Sequence, residues 1–183
     1  MKIAIDITYS PSGGSLTQIV KMIEIFNQID GLDIVIYSKK SNNNILSNLT
    51  KNNKVIISKL ANLSNIGRII WGQFFLPFYV MKEKVDILFC PGNFGPIFCP
   101  VKTLIWIHTI GPFFKEFIEN FLWISKGQNR VKLYINRFFM ALSSLKSDAV
   151  IFESQFTKEL FIKKYHLEEK KSHVINIGFD EYF

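Results

Sequence analysis

Apolar residues fall along this chain in two rhythms. Ile3, Ile5 and Ile7 alternate with Ala4 and Asp6, the period-two pattern of a strand with two distinct faces. From Leu16 the apolar positions recur at Ile19, Val20, Ile23, Phe26 and Ile29, the spacing of one helix face. Asp30-Gly31 ends that helix, and Asp33–Ser38 (DIVIYS) and Lys54–Ser58 (KVIIS) read as the next two strands. The six Asn between Asn42 and Asn53 mark a surface loop or a short, frayed helix.

Ser64–Lys82 reads as a helix, bent or divided at Pro77, because proline removes a backbone donor and crowds the preceding turn. Four further strands follow at Asp86–Cys90 (DILFC), Thr103–His108 (TLIWIH), Asp148–Glu153 (DAVIFE) and Ser172–Ile177 (SHVINI). Helices are predicted from about Val131 to Leu145 and over Gln155–Tyr165. The stretch PGNFGPIFCP, between the fourth and fifth strands, is too rich in Pro and Gly to be anything but a shaped loop.

Short apolar strands alternating with helices predict an α/β fold: a Rossmann-like, mostly parallel sheet of about seven strands with helices on both faces. No internal repeat and no interdomain linker interrupts the chain before residue 177. Such sheets bind ligands outside the carboxyl ends of their strands, near the point where strand order reverses. The loops after the first, fourth, fifth and sixth strands are therefore where chemistry is expected.

Composition narrows this only a little. At 183 residues, with 48% hydrophobic and 20% charged positions, the chain suits one well-cored domain. Its net charge of +7 favours anionic partners without naming one. The basic residues are scattered, and no Lys/Arg run has the length of a nucleic-acid tail, so nucleic acid is not an expected partner. Cys90 and Cys99 have neither zinc-site spacing nor nearby His, and read as free thiols of a reducing compartment. The N-terminus lacks the pattern of a signal peptide. The longest apolar stretch, Ile69–Met81, is broken by Gly72, Gln73 and Pro77 and falls short of the ~20 residues of a membrane span. The expectation is a cytoplasmic protein, soluble or attached peripherally to the inner face of the membrane.

Four loops can carry chemistry. After the first strand, Gly13-Gly14 lets backbone N–H groups approach a ligand at the positive end of a helix; it serves equally as a structural turn. The pattern is neither G-x-G-x-x-G nor a P-loop. After the fourth strand, Asn93 stands between Gly92 and Gly95, where its amide can meet sugar hydroxyls or simply shape the crossover. His108 ends the fifth strand and is a candidate acid/base, hydrogen-bond donor or orienter. Ser154 after the sixth strand caps the next helix or contacts a second anion. His166 and His173 receive no role. No Ser-His-Asp, paired-carboxylate or metal-ligand spacing appears, so a hydrolase is not supported and no metal is expected.

In order, Gly13-Gly14, PGNFGP after DILFC, IHTIGPF, DAVIFESQFTKELF and the ending VINIGFD resemble one family. They are similar to the N-terminal half of a GT-B glycosyltransferase, specifically the retaining glycosyltransferase family 4, and the resemblance covers the whole chain. It implies that residues 1–176 form the acceptor-side domain and that 177–183 begin a hinge to a C-terminal donor-binding domain absent from this chain. It implies a nucleotide-sugar co-substrate and no further cofactor. Gly13 and Gly14 would contact the donor diphosphate, His108 would sit beside the transferred sugar, and Asn93 and Ser154 would line the cleft. The acceptor would be a glycan or a lipid-linked glycan of bacterial polysaccharide or lipopolysaccharide synthesis.

Two positions depart from the family pattern. Its usual His-Asp pair is His108-Thr109 here, and its usual Asn-Gly before the hinge is Ile177-Gly178. The donor-gripping cationic pair and two-glutamate motif of the second domain are also missing, so the chain alone is expected to be inactive as a transferase. The basic-aromatic segment Phe113–Met140 suits either packing on the sheet or an anionic membrane surface. Two rival readings therefore stand beside the transferase: a stand-alone nucleotide- or phosphosugar-binding module, and a membrane-docking adaptor.

Overall fold

A computed structural model of the chain describes residues 1–9, 14–42, 53–108, 111 and 130–176. Seven strands form one sheet in the order β3-β2-β1-β4-β5-β6-β7, every adjacent pair parallel. They are β1 Lys2–Asp6, β2 Asp33–Ser38, β3 Lys54–Ile57, β4 Ile87–Cys90, β5 Lys102–Ile107, β6 Ala149–Phe152 and β7 Ser172–Val174. The order reverses between β1 and β4, which fixes the switch point at the centre of the sheet.

Helices cover both faces, as parallel strands require. On one face α1 (Gly14–Phe26) buries Leu16, Ile19 and Ile23 against Ile5, Ile7, Ile36 and Phe89. On the other, Trp71, Leu76, Val80, Met140 and Phe161 pack against Ala4, Val35, Leu88, Ile105 and Val150. Each fully buried Leu or Ile here stabilises the fold by roughly 1.5–3 kcal/mol.

The crossover between β3 and β4 is helical over Asn65–Lys82, within the stretch expected to be a helix bent or divided at Pro77, and the disturbance takes the form of a π-helical turn. It comprises α2 (Lys59–Leu63), α3 (Asn65–Ile70), a π-helical turn at Trp71–Phe75 and α4 (Leu76–Lys82). Pro77 has no N–H for the Gln73 carbonyl, and the wider π turn just before it relieves the clash with that carbonyl. Ser58 and Ser64 each cap a helix, accepting from the Ala61 and Gly67 amides at 3.0 Å. The remaining helices are α5 (Arg130–Lys146) and α6 (Gln155–Tyr165).

Two aspartates pin the register. Asp86 accepts from the Lys2 amide at 2.7 Å and donates its own amide to the Lys2 carbonyl at 2.8 Å. Asp148 repeats the device on Thr103, at 2.8 and 3.0 Å. The second clamp sets β6 against β5 so that Trp106 faces Ile151 and Ile107 faces Phe152.

Candidate functional site

The carboxyl ends of β1, β4, β5 and β6 converge at the switch point, and each candidate loop leaves from one of them. Gly14 opens α1, and Gly13 lies outside the described residues. Residues 177–183, expected to begin a hinge, and the 113–129 part of the basic-aromatic segment also lie outside them.

The loop after β4 folds back on its own strand. A Cβ on Gly95 would sit 2.8 Å from Cys90 Sγ, so only glycine admits this approach. Asn93 takes the left-handed conformation at φ 71°. Its amide donates to the Trp106 carbonyl at 3.2 Å, and its side-chain Oδ1 accepts from the His108 amide at 2.7 Å. Asn93 thus fastens the β4 loop to the end of β5, immediately at His108.

His108 continues the face of β5 that carries Leu104 and Trp106, with its ring stacked on Trp106 at a centroid distance of 4.3 Å. The β5–β6 register brings Glu153 directly opposite, and Glu153 Oε1 lies 2.6 Å from His108 Nδ1. An ionised carboxylate only accepts, so Nδ1 carries the ring proton and any proton exchanged with a ligand moves at Nε2. That Nε2 is buried and has no partner among the described residues. The His108 side chain is 8% exposed and Glu153 24%, so the carboxylate forms the wetter rim of the pair. Glu153 was not a candidate from sequence; only strand register brings it to His108.

Ser154 follows immediately and caps α6. Its Oγ accepts from the Thr157 amide at 3.2 Å and donates to Thr157 Oγ1, also at 3.2 Å. The cap holds the backbone just after Glu153. At the far end of α6, His166 closes the helix in the left-handed conformation, donating its amide to the Ile162 carbonyl at 2.8 Å.

A second polar group lies below the loop after β1. Asp6 is 1% exposed, with Oδ1 accepting from the Thr8 amide at 3.1 Å and Oδ2 without a partner among the described residues. Burial pushes its carboxyl up to about 6, and the hydrogen bond from the Thr8 amide only partly opposes that. The Thr8 and Tyr9 hydroxyls beside it are buried and likewise unpartnered among the described residues. The Tyr9 ring packs on Phe94 at 3.8 Å and joins this group to the β4 loop. Burial also raises the Cys90 and Cys99 thiols, both free, which keeps them protonated. Among the described residues no group of three or more His, Cys, Asp or Glu could hold a metal ion.

The family model described as Glycosyltransferase Family 4 matches residues 13–182. The chain belongs to that family. Solved structures similar to it include GT-B glycosyltransferases, alongside a UDP-GlcNAc 2-epimerase from Methanocaldococcus jannaschii, and the chain has the fold of the glycosyltransferases' N-terminal Rossmann-like domain. Anabaena Alr3699/HepE, solved with UDP-glucose, shares 15% identity at a TM-score of 0.58, covering 98% of this chain and 44% of that one. A glycosyltransferase from Rickettsia africae ESF-5 shares 19% identity at 0.57, covering 98% and 43%. The lipopolysaccharide outer core galactosyltransferase WaaB, in its apo form, shares 16% at 0.56, covering 98% and 46%. The chain therefore spans less than half the length of these structures. No curated protein matches it.

Thr109 stands where the resemblance leads one to expect an aspartate, and the carboxylate that reaches His108 comes from Glu153, just past the end of β6. Below the pair, Trp106 also lines an apolar groove of about 420 Å³ walled by Phe26, Ile87, Phe89, Leu104 and Ile151.

Proposed function

We propose that this chain is the acceptor-side domain of a retaining, nucleotide-sugar-dependent glycosyltransferase acting in bacterial cell-surface polysaccharide or lipopolysaccharide assembly. Family membership supports glycosyl transfer in general. The observation that carries the site assignment is His108, held at the carboxyl edge of a central strand with Nδ1 on Glu153 and Nε2 without a partner among the described residues.

In this reading a second Rossmann-like domain outside these 183 residues binds most of the nucleotide-sugar and stabilises the departing diphosphate. The acceptor, a glycan or a lipid-linked glycan, approaches from the domain described here and attacks on the face the leaving group vacates. His108 meets the transferred sugar. With Nδ1 committed to Glu153, a neutral ring accepts at Nε2 from a sugar hydroxyl, and a protonated ring donates there to an anionic oxygen. Asn93 contributes by fixing the His108 backbone. Gly13 and Gly14 contact the diphosphate, and Ser154 sets the α6 end of the cleft. The enzyme works at the cytoplasmic side of the membrane and needs no metal or further cofactor.

The test is turnover of a nucleotide-sugar by a protein that joins this domain to a donor-binding half. The expected result is sugar transfer with retained anomeric configuration, lost on His108→Ala. Full activity of that variant would remove His108 from the reaction, and inversion at the anomeric carbon would overturn the retaining assignment.

A further inference from the structure

The loop between β4 and β5 carries Asn93, and Asn93 holds the backbone of His108. The loop itself has few fixings. Among the described residues, 91–98 make one backbone-to-backbone hydrogen bond, from the Asn93 amide to the Trp106 carbonyl. The Gly95 carbonyl and the Ile97 amide both go to a single side chain, Gln73. Its Nε2 donates to the Gly95 carbonyl at 3.1 Å, and its Oε1 accepts from the Ile97 amide at 3.0 Å. One side-chain amide, with donor and acceptor side by side, thus does for this loop what a neighbouring strand does for a strand. Without it, two part-buried backbone groups would lose their partners.

Gln73 lies inside the π turn that joins α3 to α4, where the Leu76 amide reaches back to the Trp71 carbonyl. Trp71 and Leu76 both pack in the core, although five residues of α-helix would set them about 140° apart. The longer turn narrows that gap and leaves Gly72 and Gln73 between them, toward the β4 loop. Gly72 comes so close to Tyr9 that a Cβ there would lie 3.1 Å from its ring and hydroxyl. Tyr9 in turn packs on Phe94 of the loop at 3.8 Å. Two successive residues of the π turn therefore meet the same loop, Gly72 through Tyr9 and Gln73 directly. Such turns recur at functional sites, and this one is fitted to the loop that holds His108.

We propose that Gln73 is a positioning residue of the transfer site, acting on His108 through the β4 loop and Asn93. Gln73 sets Gly95 and Ile97, and Asn93, two residues before Gly95, presents Oδ1 to the His108 amide at 2.7 Å. Asn93 does so from the left-handed conformation, at φ 71°. That conformation is uncommon outside glycine and persists where the surroundings fix it. The proposal rests on the transferase reading and adds to it a residue that meets no substrate yet sets the geometry of one that does.

Hydrogen exchange in the 183-residue chain tests this route without any enzymatic readout. Gln73→Met keeps the bulk of the side chain and removes both hydrogen bonds. In this variant the His108 amide is expected to exchange about tenfold or more faster, with the amides of β1 unchanged. Gln73→Glu, which accepts from Ile97 but cannot donate to Gly95, is a milder second variant that should move the same amide. Asn93→Gly tolerates the left-handed conformation and lacks Oδ1, so in that background Gln73→Met should add nothing at His108. No acceleration at His108 in either variant, equal acceleration at β1 in both, or additive effects in the double variant would overturn the proposal. In a protein joined to a donor-binding half, Gln73→Met should lower kcat about tenfold and leave the donor KM within a factor of about two. A localised exchange effect with kcat unaltered would strip Gln73 of its part in the reaction. Absence of sugar transfer by the wild-type two-domain protein would instead count against the transferase reading, with the exchange result still standing.

Discussion

Oε1 of Glu153 lies 2.6 Å from Nδ1 of His108 although 45 residues separate the two in the chain. The contact follows from the parallel pairing of β5 with β6, and the Asp148 clamp on Thr103 fixes that pairing. Asn93 and Trp106 complete the setting, one on the His108 backbone and one beneath its ring.

Glu153→Gln keeps the shape of the pair but not the obligate acceptor, because the amide can turn its NH2 toward the ring. In a protein that includes a donor-binding half, this substitution is expected to lower kcat by about 10- to 100-fold with little change in KM, and His108→Ala by more. In ¹⁵N-histidine spectra of the chain, the wild type should show the Nδ1-protonated tautomer and the Gln variant a mixture. An unaltered tautomer would mean that Glu153 does not orient the ring.

Asp6 predicts a pH signature in stability. Its folded-state carboxyl titrates at about 6 against an ordinary value of 3.8, because burial disfavours the charge. The folded state thus holds this proton more tightly than the unfolded chain. Its contribution is most favourable below the ordinary value and is lost as pH rises through about 6. Asp6→Asn should match the wild type near pH 4 and exceed it by about 1–3 kcal/mol near pH 8 in urea unfolding. A constant difference across that range would contradict the assignment.

Gly95→Ala places a methyl group against Cys90, with 2.8 Å to Sγ and 3.3 Å to Cβ. The expected loss is about 1–3 kcal/mol. Removing Sγ with Cys90→Ala should make the Gly95→Ala change cheaper, giving a coupling of about 0.5 kcal/mol or more in a double-mutant cycle. Strict additivity would show that the loop relaxes away from the strand.

Ser154→Ala removes the α6 cap and should cost about 1 kcal/mol, or roughly 2–4 °C in Tm. Ser154→Thr should recover most of it. If Ser154 also contacts a ligand, the Ala variant in the two-domain protein will raise KM, and a KM unchanged within error would reduce its role to the cap.

Much of this architecture was legible because parallel strands are buried on both faces and so appear as unbroken apolar runs. The seven expected strands all exist, and Asp33–Ser38 and Gln155–Tyr165 match to the residue. The π turn was not legible, since Pro77 announces a disturbance without saying how the backbone absorbs it. His108 stood out through its position at a strand end, whereas Glu153, at the end of the next strand, carried no sign of a partner, because strand register is a property of pairs of strands. Asp6 looked like the polar face of a strand; its near-complete burial comes from tertiary packing that the strand pattern does not carry.

The first strand made is the central one. As the chain leaves the ribosome, β1 can pair with β2 early, but its other edge faces water until Ile87–Cys90 has been synthesised. Through that interval a growing half-sheet exposes the hydrogen-bonding groups of Lys2 and Ala4 to any strand-like neighbour. Assembly of the site waits longer still, since His108 meets Glu153 only when β6 arrives. A stall in translation between β3 and β4 is where this chain is most open to aggregation.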